Sequence, residues 1–129
     1  MIVVDASAIV DLVIDAPAGR AVARQLRDGG EAWAPELLQV EVASALWRLN
    51  RAGALADDEA TQAMSDALAV PLELVSHLLL GQRAWGLRQG LRISGAYYVA
   101  LAEHLGAPLL TTDQRLARAA RGISVTAVT

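Results

Sequence analysis

Two aspartates close apolar segments at opposite ends of the chain. Asp5 follows the run Met1–Val4, and Asp113 follows the run Pro108–Thr112. Each run is typical of a short buried strand, and each acid lies where that strand gives way to a helix. Because the carboxyl ends of parallel strands form one edge of a sheet, the two acids can meet in space. Two close carboxylates repel each other unless a proton or cation lies between them, so the pair predicts a divalent metal site.

A third acid, Glu41, lies on a helix expected over residues 36–51. The apolar stripe of this helix consists of Leu38, Val42, Ala45 and Leu49. Glu41 falls at the edge of that stripe, where a charged carboxylate is costly unless it is paired or bound to a cation. The simpler alternative is a glutamate that reaches solvent or pairs with Arg48 or Arg51. In combination with the two aspartates, the metal-binding interpretation is favoured.

The aspartates also have a simpler interpretation, because each directly precedes a predicted helix and could be its N-cap. Two caps and an unrelated Glu41 form a less economical explanation than one shared site. The hydroxyls of Ser7, Thr111 and Thr112 lie beside the acids in sequence. Such groups are suited to orienting carboxylates that bind a metal.

The rest of the composition excludes several other chemistries. HExxH, GxSxG, GxGxxG and P-loop patterns are absent. His77 and His104 do not have the spacing of metal ligands, and we expect both to be surface residues. The chain has no cysteine, which excludes disulfides and thiolate ligands and favours a cytoplasmic location. All 11 basic residues are arginines, which a GC-rich genome explains most simply. An arginine rim would nevertheless let a chain of net charge −3 bind RNA.

Strands and helices alternate along the chain, and these elements must position the acids. Strands are expected over residues 2–5, 31–34, 70–75, 108–112 and 123–128. Helices are expected over residues 8–14, 18–27, 36–51, 57–69, 76–89, 95–105 and 114–121. Ser7, Ser76 and Ser94 are the expected N-caps of three helices, and Leu91–Ile93 is expected to be extended. Pro71 predicts that the strand at residues 70–75 lies at a sheet edge.

This alternation predicts a single α/β domain over residues 1–129. The expected architecture is an α/β/α sandwich around a central parallel sheet of about five strands. No run of 18 uncharged apolar residues exists, so a membrane span is not expected. The first residues are typical of a core strand and not of a secretory signal.

Three segments resemble the PIN-domain family. They are VVDASAIVDL at residues 3–12, APELLQVEVASALWRL at 34–49, and YYVALAEHLGAPLLTTDQRLA at 97–117. The resemblance covers essentially the whole chain and is greatest to the VapC toxins of bacterial VapBC toxin–antitoxin modules. It implies a PIN-like fold and a Mg²⁺- or Mn²⁺-dependent endoribonuclease. In such an enzyme, clustered acids hold a metal that activates water and neutralises charge on the attacked phosphate.

The resemblance also implies roles for individual residues and for partners. Asp5, Glu41 and Asp113 match three of the family's acidic positions. Ser7 matches the hydroxyl residue after the first acid, and Thr111 matches the threonine before the last. The implied partners are an RNA substrate, a VapB-like antitoxin and a second copy of the chain. Helices 36–51 and 76–89, rich in Ala, Leu and Trp, could provide an antitoxin groove or a homodimer surface.

One position departs from the family pattern. Gly95 stands where relatives usually carry an aspartate, just before Ala96-Tyr97-Tyr98. Glycine supplies no ligand, Ser94 is a weak one, and Glu103 lies about two turns away on the same helix. Either the natural protein is a degenerate nuclease, or an engineered Asp→Gly substitution has disabled a toxic enzyme. In both cases we expect weak metal affinity and little nuclease activity.

Two other functions remain open at this point. A non-catalytic PIN-like protein could act only through binding a partner, and its glycine at position 95 would be natural. A housekeeping PIN nuclease of RNA processing or decay is the other alternative, which a short chain without an added RNA-binding module disfavours.

Overall fold

Five parallel strands form the centre of the molecule in a computed structural model that describes residues 1–129. They are β1 (Ile2–Val4), β2 (Ala32–Pro35), β3 (Glu73–Val75), β4 (Leu109–Thr111) and β5 (Val125–Ala127). Their order in the sheet is β3-β2-β1-β4-β5. Strand β3 therefore lies at an edge of the sheet, as predicted, although it begins only at Glu73, two residues after Pro71. Proline has no backbone N–H to donate to a neighbouring strand, so strand pairing begins after it.

Seven helices flank this sheet, which confirms the predicted α/β/α sandwich. They are α1 (Ala6–Val13), α2 (Gly19–Asp28), α3 (Leu37–Arg51), α4 (Asp57–Ala69), α5 (His77–Gly86), α6 (Ile93–Leu105) and α7 (Gln114–Ala119). Helix α6 packs across β1, β2 and β4, and α1 packs against α2, α3 and α4. Strands β1 and β4 are fully buried between these layers. None of the helices is both long and apolar enough to cross a bilayer.

Two of the predicted N-caps are wrong. Asp5, not Ser7, caps α1, because its carboxylate accepts the backbone N–H of Ala8 at 3.0 Å. Helix α6 begins at Ile93, since Ala96 N–H already bonds to Arg92 O at 2.9 Å, so Ser94 lies inside the first turn and residues 91–93 are not a separate extended segment. The third cap is confirmed: Ser76 Oγ accepts the N–H of Leu78 at 3.2 Å.

The strand order places the junctions after β1 and β4 side by side. The chain passes from β1 to β2 and β3 on one side, then crosses back to β4 on the other. Val4 pairs with Leu110, so the carboxyl ends of these two parallel strands adjoin. Such a switch in strand order leaves a crevice at the carboxyl edge of a parallel sheet. Asp5 and Asp113 lie at this edge.

Candidate active site

A cavity of about 1100 Å³ opens at this crevice. Its walls include all three predicted acids, Asp5, Glu41 and Asp113, together with Ser7 and Gly95. The acids come from the end of β1, the middle of α3 and the residue before α7. The structure therefore brings residues that are 108 positions apart in sequence to one site.

Asp5 is held at the cavity floor by a complete set of donors. Its side chain is only 3% exposed. Ser7 Oγ donates to Asp5 Oδ1 at 2.7 Å, and Thr111 Oγ1 donates to Oδ2 at 2.5 Å. Burial, with a smaller contribution from the charge of Asp113, raises the pKa of Asp5 from 3.8 to about 6 even though these hydrogen bonds act in the opposite direction.

The same hydroxyls connect the two strand–helix junctions. Ser7 Oγ and Thr111 Oγ1 lie 3.2 Å apart. Thr111 Oγ1 accepts the backbone N–H of Asp113 at 2.9 Å, and Ser7 Oγ accepts that of Thr112 at 3.1 Å. Thr112 thus joins the network through its backbone, whereas we had expected its hydroxyl to orient an acid. Ser7 and Thr111 fix the position of Asp5 relative to Asp113.

Asp113 is exposed and caps α7. Its Oδ1 accepts the N–H groups of Arg115 at 2.9 Å and Leu116 at 3.2 Å. Both aspartates are therefore helix caps, which is the simpler interpretation that we had considered less economical. The cap occupies one oxygen of Asp113 and leaves Oδ2 without a donor from the protein, so capping and cavity lining are compatible.

Glu41 is positioned by a residue that sequence reasoning did not assign. The hydroxyl of Tyr98 donates to Glu41 Oε1 at 2.6 Å. Tyr98 is 2% exposed, and burial, followed by the charge and hydrogen bond of Glu41, raises the pKa of its phenol, so the hydroxyl stays protonated. Tyr98 lies three residues after Gly95 on α6, and that spacing is the signal that places it on the cavity side of the helix.

Helix α3, which carries Glu41, is also stabilised at its N-terminus by a side-chain hydrogen bond. Glu36 at the N-cap of α3 makes no side-chain capping bond, and His77 Nε2 instead accepts the N–H of Leu37 at 2.9 Å. The ring of His77 lies 4.9 Å from that of Tyr97. His77 is thus half-buried and structural, and the expectation of an ordinary surface histidine is wrong for this residue.

Gly95 is buried in the first turn of α6 and faces Leu91 and Leu116. A Cβ at this position would lie 3.2 Å from Leu116 Cδ1 and 4.0 Å from Leu91 Cδ2. A Cβ at this position therefore requires the end of Leu116 to move by a few tenths of an ångström. Glu103 cannot replace the missing acid, because it pairs with Arg83 at 2.7 Å.

The acids suit a hard divalent cation in type but do not form a closed site. Carboxylate oxygens are the ligands that Mg²⁺ prefers, and Glu41 Oε2 accepts no hydrogen bond from the protein. Asp5 has no cationic partner, and a nearby cation would lower its raised pKa. However, no three acidic or imidazole side chains approach closely enough to hold a metal ion. Gly95 contributes no ligand to the cavity wall.

Known proteins resemble this chain over nearly its full length. The PIN-domain model matches residues 2–122. Ribonuclease VapC12 of Mycobacterium tuberculosis is 42% identical over 118 residues, covering 92% of this chain and 91% of that protein. Ribonuclease VapC3 of the same organism is 43% identical over 120 residues, covering 92% of this chain and 86% of that protein.

Two solved structures share the fold at low identity. VapC20 of M. tuberculosis, described as a sarcin-ricin loop cleaving toxin, has a TM-score of 0.69 at 16% identity and covers 92% of this chain and 95% of its own. VapBC2 of Rickettsia felis, bound to a DNA fragment from their promoter, has a TM-score of 0.63 at 16% identity and full coverage of both chains. Together with the relatives above 40% identity, these matches show that the chain belongs to the PIN-domain family, among its VapC-type members.

Proposed function

We propose that this chain is an endoribonuclease of the toxin–antitoxin type whose metal site is incomplete. The observation that carries the proposal is the convergence of Asp5, Glu41 and Asp113 on one cavity in a close relative of proteins named ribonucleases. Helix capping accounts for Asp5 and Asp113 separately, but it does not account for Glu41 in the same cavity.

In the proposed reaction, some residues bind the metal and others orient those ligands. Asp5, Glu41 and Asp113 would hold Mg²⁺ or Mn²⁺, which when bound activates a water and neutralises charge on the attacked phosphate. Ser7 and Thr111 keep the carboxylate of Asp5 in one orientation at the cavity floor. Tyr98 does the same for Glu41 through its 2.6 Å hydrogen bond. Such supporting donors narrow the conformations of a ligand before the metal arrives.

Position 95 determines the activity of this chain in our proposal. The side chain expected there in relatives is an aspartate on the first turn of α6, and its absence removes a ligand while the rest of the cavity is retained. The Cβ of such an aspartate would need only a small movement of Leu116. The chain as given is therefore expected to bind Mg²⁺ weakly and to cleave RNA slowly.

The decisive experiment compares RNA cleavage by this chain, Gly95→Asp and Gly95→Ala in Mg²⁺ or Mn²⁺. The alanine variant is the matched control, because it places the same Cβ against Leu116 without a carboxylate. Loss of groups that merely support metal ligands already reduces activity about 10–100-fold, so we expect Gly95→Asp to gain more than about 100-fold. Equal rates for the chain and Gly95→Asp would contradict the proposal.

Partners are the second part of the proposal. Apolar side chains protrude from the surface of α5 and α3: Leu78 is 95% exposed, Leu79 77%, Trp85 62% and Trp47 57%. Exposed apolar patches mark protein interfaces, and Leu78, Leu79 and Trp85 all lie on α5. We propose that a VapB-like antitoxin and a second copy of this chain cover them in the cytoplasm. Light scattering tests the homodimer: Leu78→Ser should shift a dimeric mass toward the monomer, and a monomeric parent chain would contradict it.

The alternative of a non-catalytic binding protein is favoured by one observation, the open ligand set around Gly95. Overexpression separates the possibilities. Growth arrest by Gly95→Asp but not by the parent chain supports a toxin. RNA cleavage by Gly95→Asp without growth arrest supports a housekeeping nuclease, and neither effect supports a binding protein.

A further inference from the structure

Four arginines line the same cavity as the acids: Arg48, Arg92, Arg115 and Arg118. All four are exposed. None takes part in an ion pair, since the ion pairs of the chain are Arg27–Asp28 and Arg83–Glu103. An arginine beside carboxylates that nevertheless pairs with none of them keeps its guanidinium group available for an anionic ligand.

These arginines stand on both sides of Asp5. Arg48 follows Glu41 by seven residues on α3, which is two helical turns along the same face and about 10 Å along the axis. Arg115 and Arg118 are three residues apart on α7 and share a face. Helix α3 follows β2 and α7 follows β4, and β1, which directly precedes Asp5, lies between these two strands. The acids are therefore flanked by positive charge on two opposite walls.

We propose that Arg48 on one wall and Arg115 with Arg118 on the other form a track for an unpaired RNA strand. The acids lie beneath the phosphodiester to be cleaved, and the arginines bind the phosphates on either side of it. This inference rests on the proposed nuclease function. Guanidinium groups make forked hydrogen bonds to phosphate, and a local rim supplies the attraction that a chain of net charge −3 lacks as a whole.

The depth of Asp5 favours a single strand over a duplex. Asp5 is only 3% exposed at the cavity floor, so a phosphate must enter the cavity to approach it. An unpaired strand can bend one phosphate inward while its neighbours stay at the rim, whereas the backbone of an RNA helix is held by pairing and stacking.

The track is tested by binding, without cleavage. Fluorescence anisotropy with a labelled single-stranded oligoribonucleotide in EDTA gives the affinity of the chain over a range of salt concentrations. Each phosphate contact contributes about 0.7 to the slope of log affinity against log salt for single strands. Arg48→Ala and Arg118→Ala should each lower the slope by about 0.7, and the double variant by about 1.4. Arg24→Ala, an exposed arginine on α2 outside the cavity, is the matched control and should leave the slope unchanged.

The possible results distinguish the arginine track from the proposed nuclease function. Equal slopes for the cavity variants and Arg24→Ala, or no RNA binding by the parent chain, overturn the track. If the slopes change as expected but Gly95→Asp does not cleave RNA, the track stands and the nuclease proposal fails. If Gly95→Asp cleaves RNA while the slopes are unaffected, the nuclease stands and the track fails.

Discussion

The cavity has two corners that differ in how completely their groups are bonded. In the Asp5 corner, made of Asp5, Ser7 and Thr111, both carboxylate oxygens receive donors and each hydroxyl has at least two partners. In the Gly95 corner, made of Gly95, Leu91 and Leu116, there is no polar side chain. We propose that the Gly95 corner lacks a metal ligand, while the groups that orient Asp5 stay in place.

The difference follows from what each corner does for the fold. Asp5 caps α1, and Thr111 joins β4 to α7, so loss of either disturbs buried hydrogen bonds. Position 95 is a helical residue with apolar neighbours, where the fold needs no carboxylate. We therefore propose that the absence of an acid there lowers activity without lowering stability.

The largest expected effect on stability is in the Asp5 corner. Thr111→Val keeps the shape of this fully buried side chain but removes the donor to Asp5 Oδ2 and the acceptor for Asp113 N–H. Leaving a buried carboxylate oxygen and a partly buried N–H without partners should lower the free energy of unfolding by about 2–4 kcal/mol in urea denaturation. Thr112→Val is the matched control, because its hydroxyl makes no hydrogen bond; a similar loss in both variants would contradict the special role of Thr111.

Asp5→Asn should have a smaller effect of opposite sign at neutral pH. Because burial raises the pKa of Asp5 from 3.8 to about 6, the folded protein holds a proton that the unfolded chain releases. The contribution of this group to stability is therefore full below pH 4 and is lost as the pH rises through about 6. The asparagine variant keeps the cap without this loss, so it should be about 1–3 kcal/mol more stable than the parent at pH 7 and equal to it near pH 4.

The measurement is urea denaturation of both proteins between pH 4 and 7. A parent chain whose stability does not fall across this interval would contradict the raised pKa. In the Gly95→Asp background, Mg²⁺ should stabilise the protein that keeps Asp5 and not the one with Asn at position 5, since a bound cation stabilises only the state that holds it.

Tyr98→Phe is expected to have the smallest effect on stability. Its main effect should be on the position of the Glu41 side chain. Glu41 is half-buried, so water can replace the lost phenol, and the cost should be about 1 kcal/mol. In the Gly95→Asp background the same change should weaken Mn²⁺ binding about 10-fold, because Glu41 loses its support. Tyr97→Phe is the control, because it keeps the contact between the aromatic ring at position 97 and His77. Unchanged Mn²⁺ affinity in Tyr98→Phe would show that the tyrosine is only structural.

Sequence reasoning reached the fold and the convergence of the acids by one physical route. Apolar runs ending in Asp5 and Asp113 predicted parallel strands, and a parallel sheet brings their carboxyl ends to one edge. The predicted N-caps Ser7 and Ser94 are wrong because sequence alone does not show which of several adjacent polar residues precedes the first helical turn. Sequence alone could not tell whether Tyr97 or Tyr98 lies near the acids, because that depends on which side of α6 meets α3, a matter of packing between elements far apart in sequence.

We propose that one absent carboxylate at position 95 leaves an otherwise complete metal site open. Calorimetric titration of Mn²⁺ into the parent chain, Gly95→Ala and Gly95→Asp tests it without depending on catalysis. The account predicts weak binding by the first two proteins and an affinity raised more than about 100-fold in Gly95→Asp, with EDTA reversing the heat signal. Equal Mn²⁺ affinity in Gly95→Ala and Gly95→Asp would contradict it.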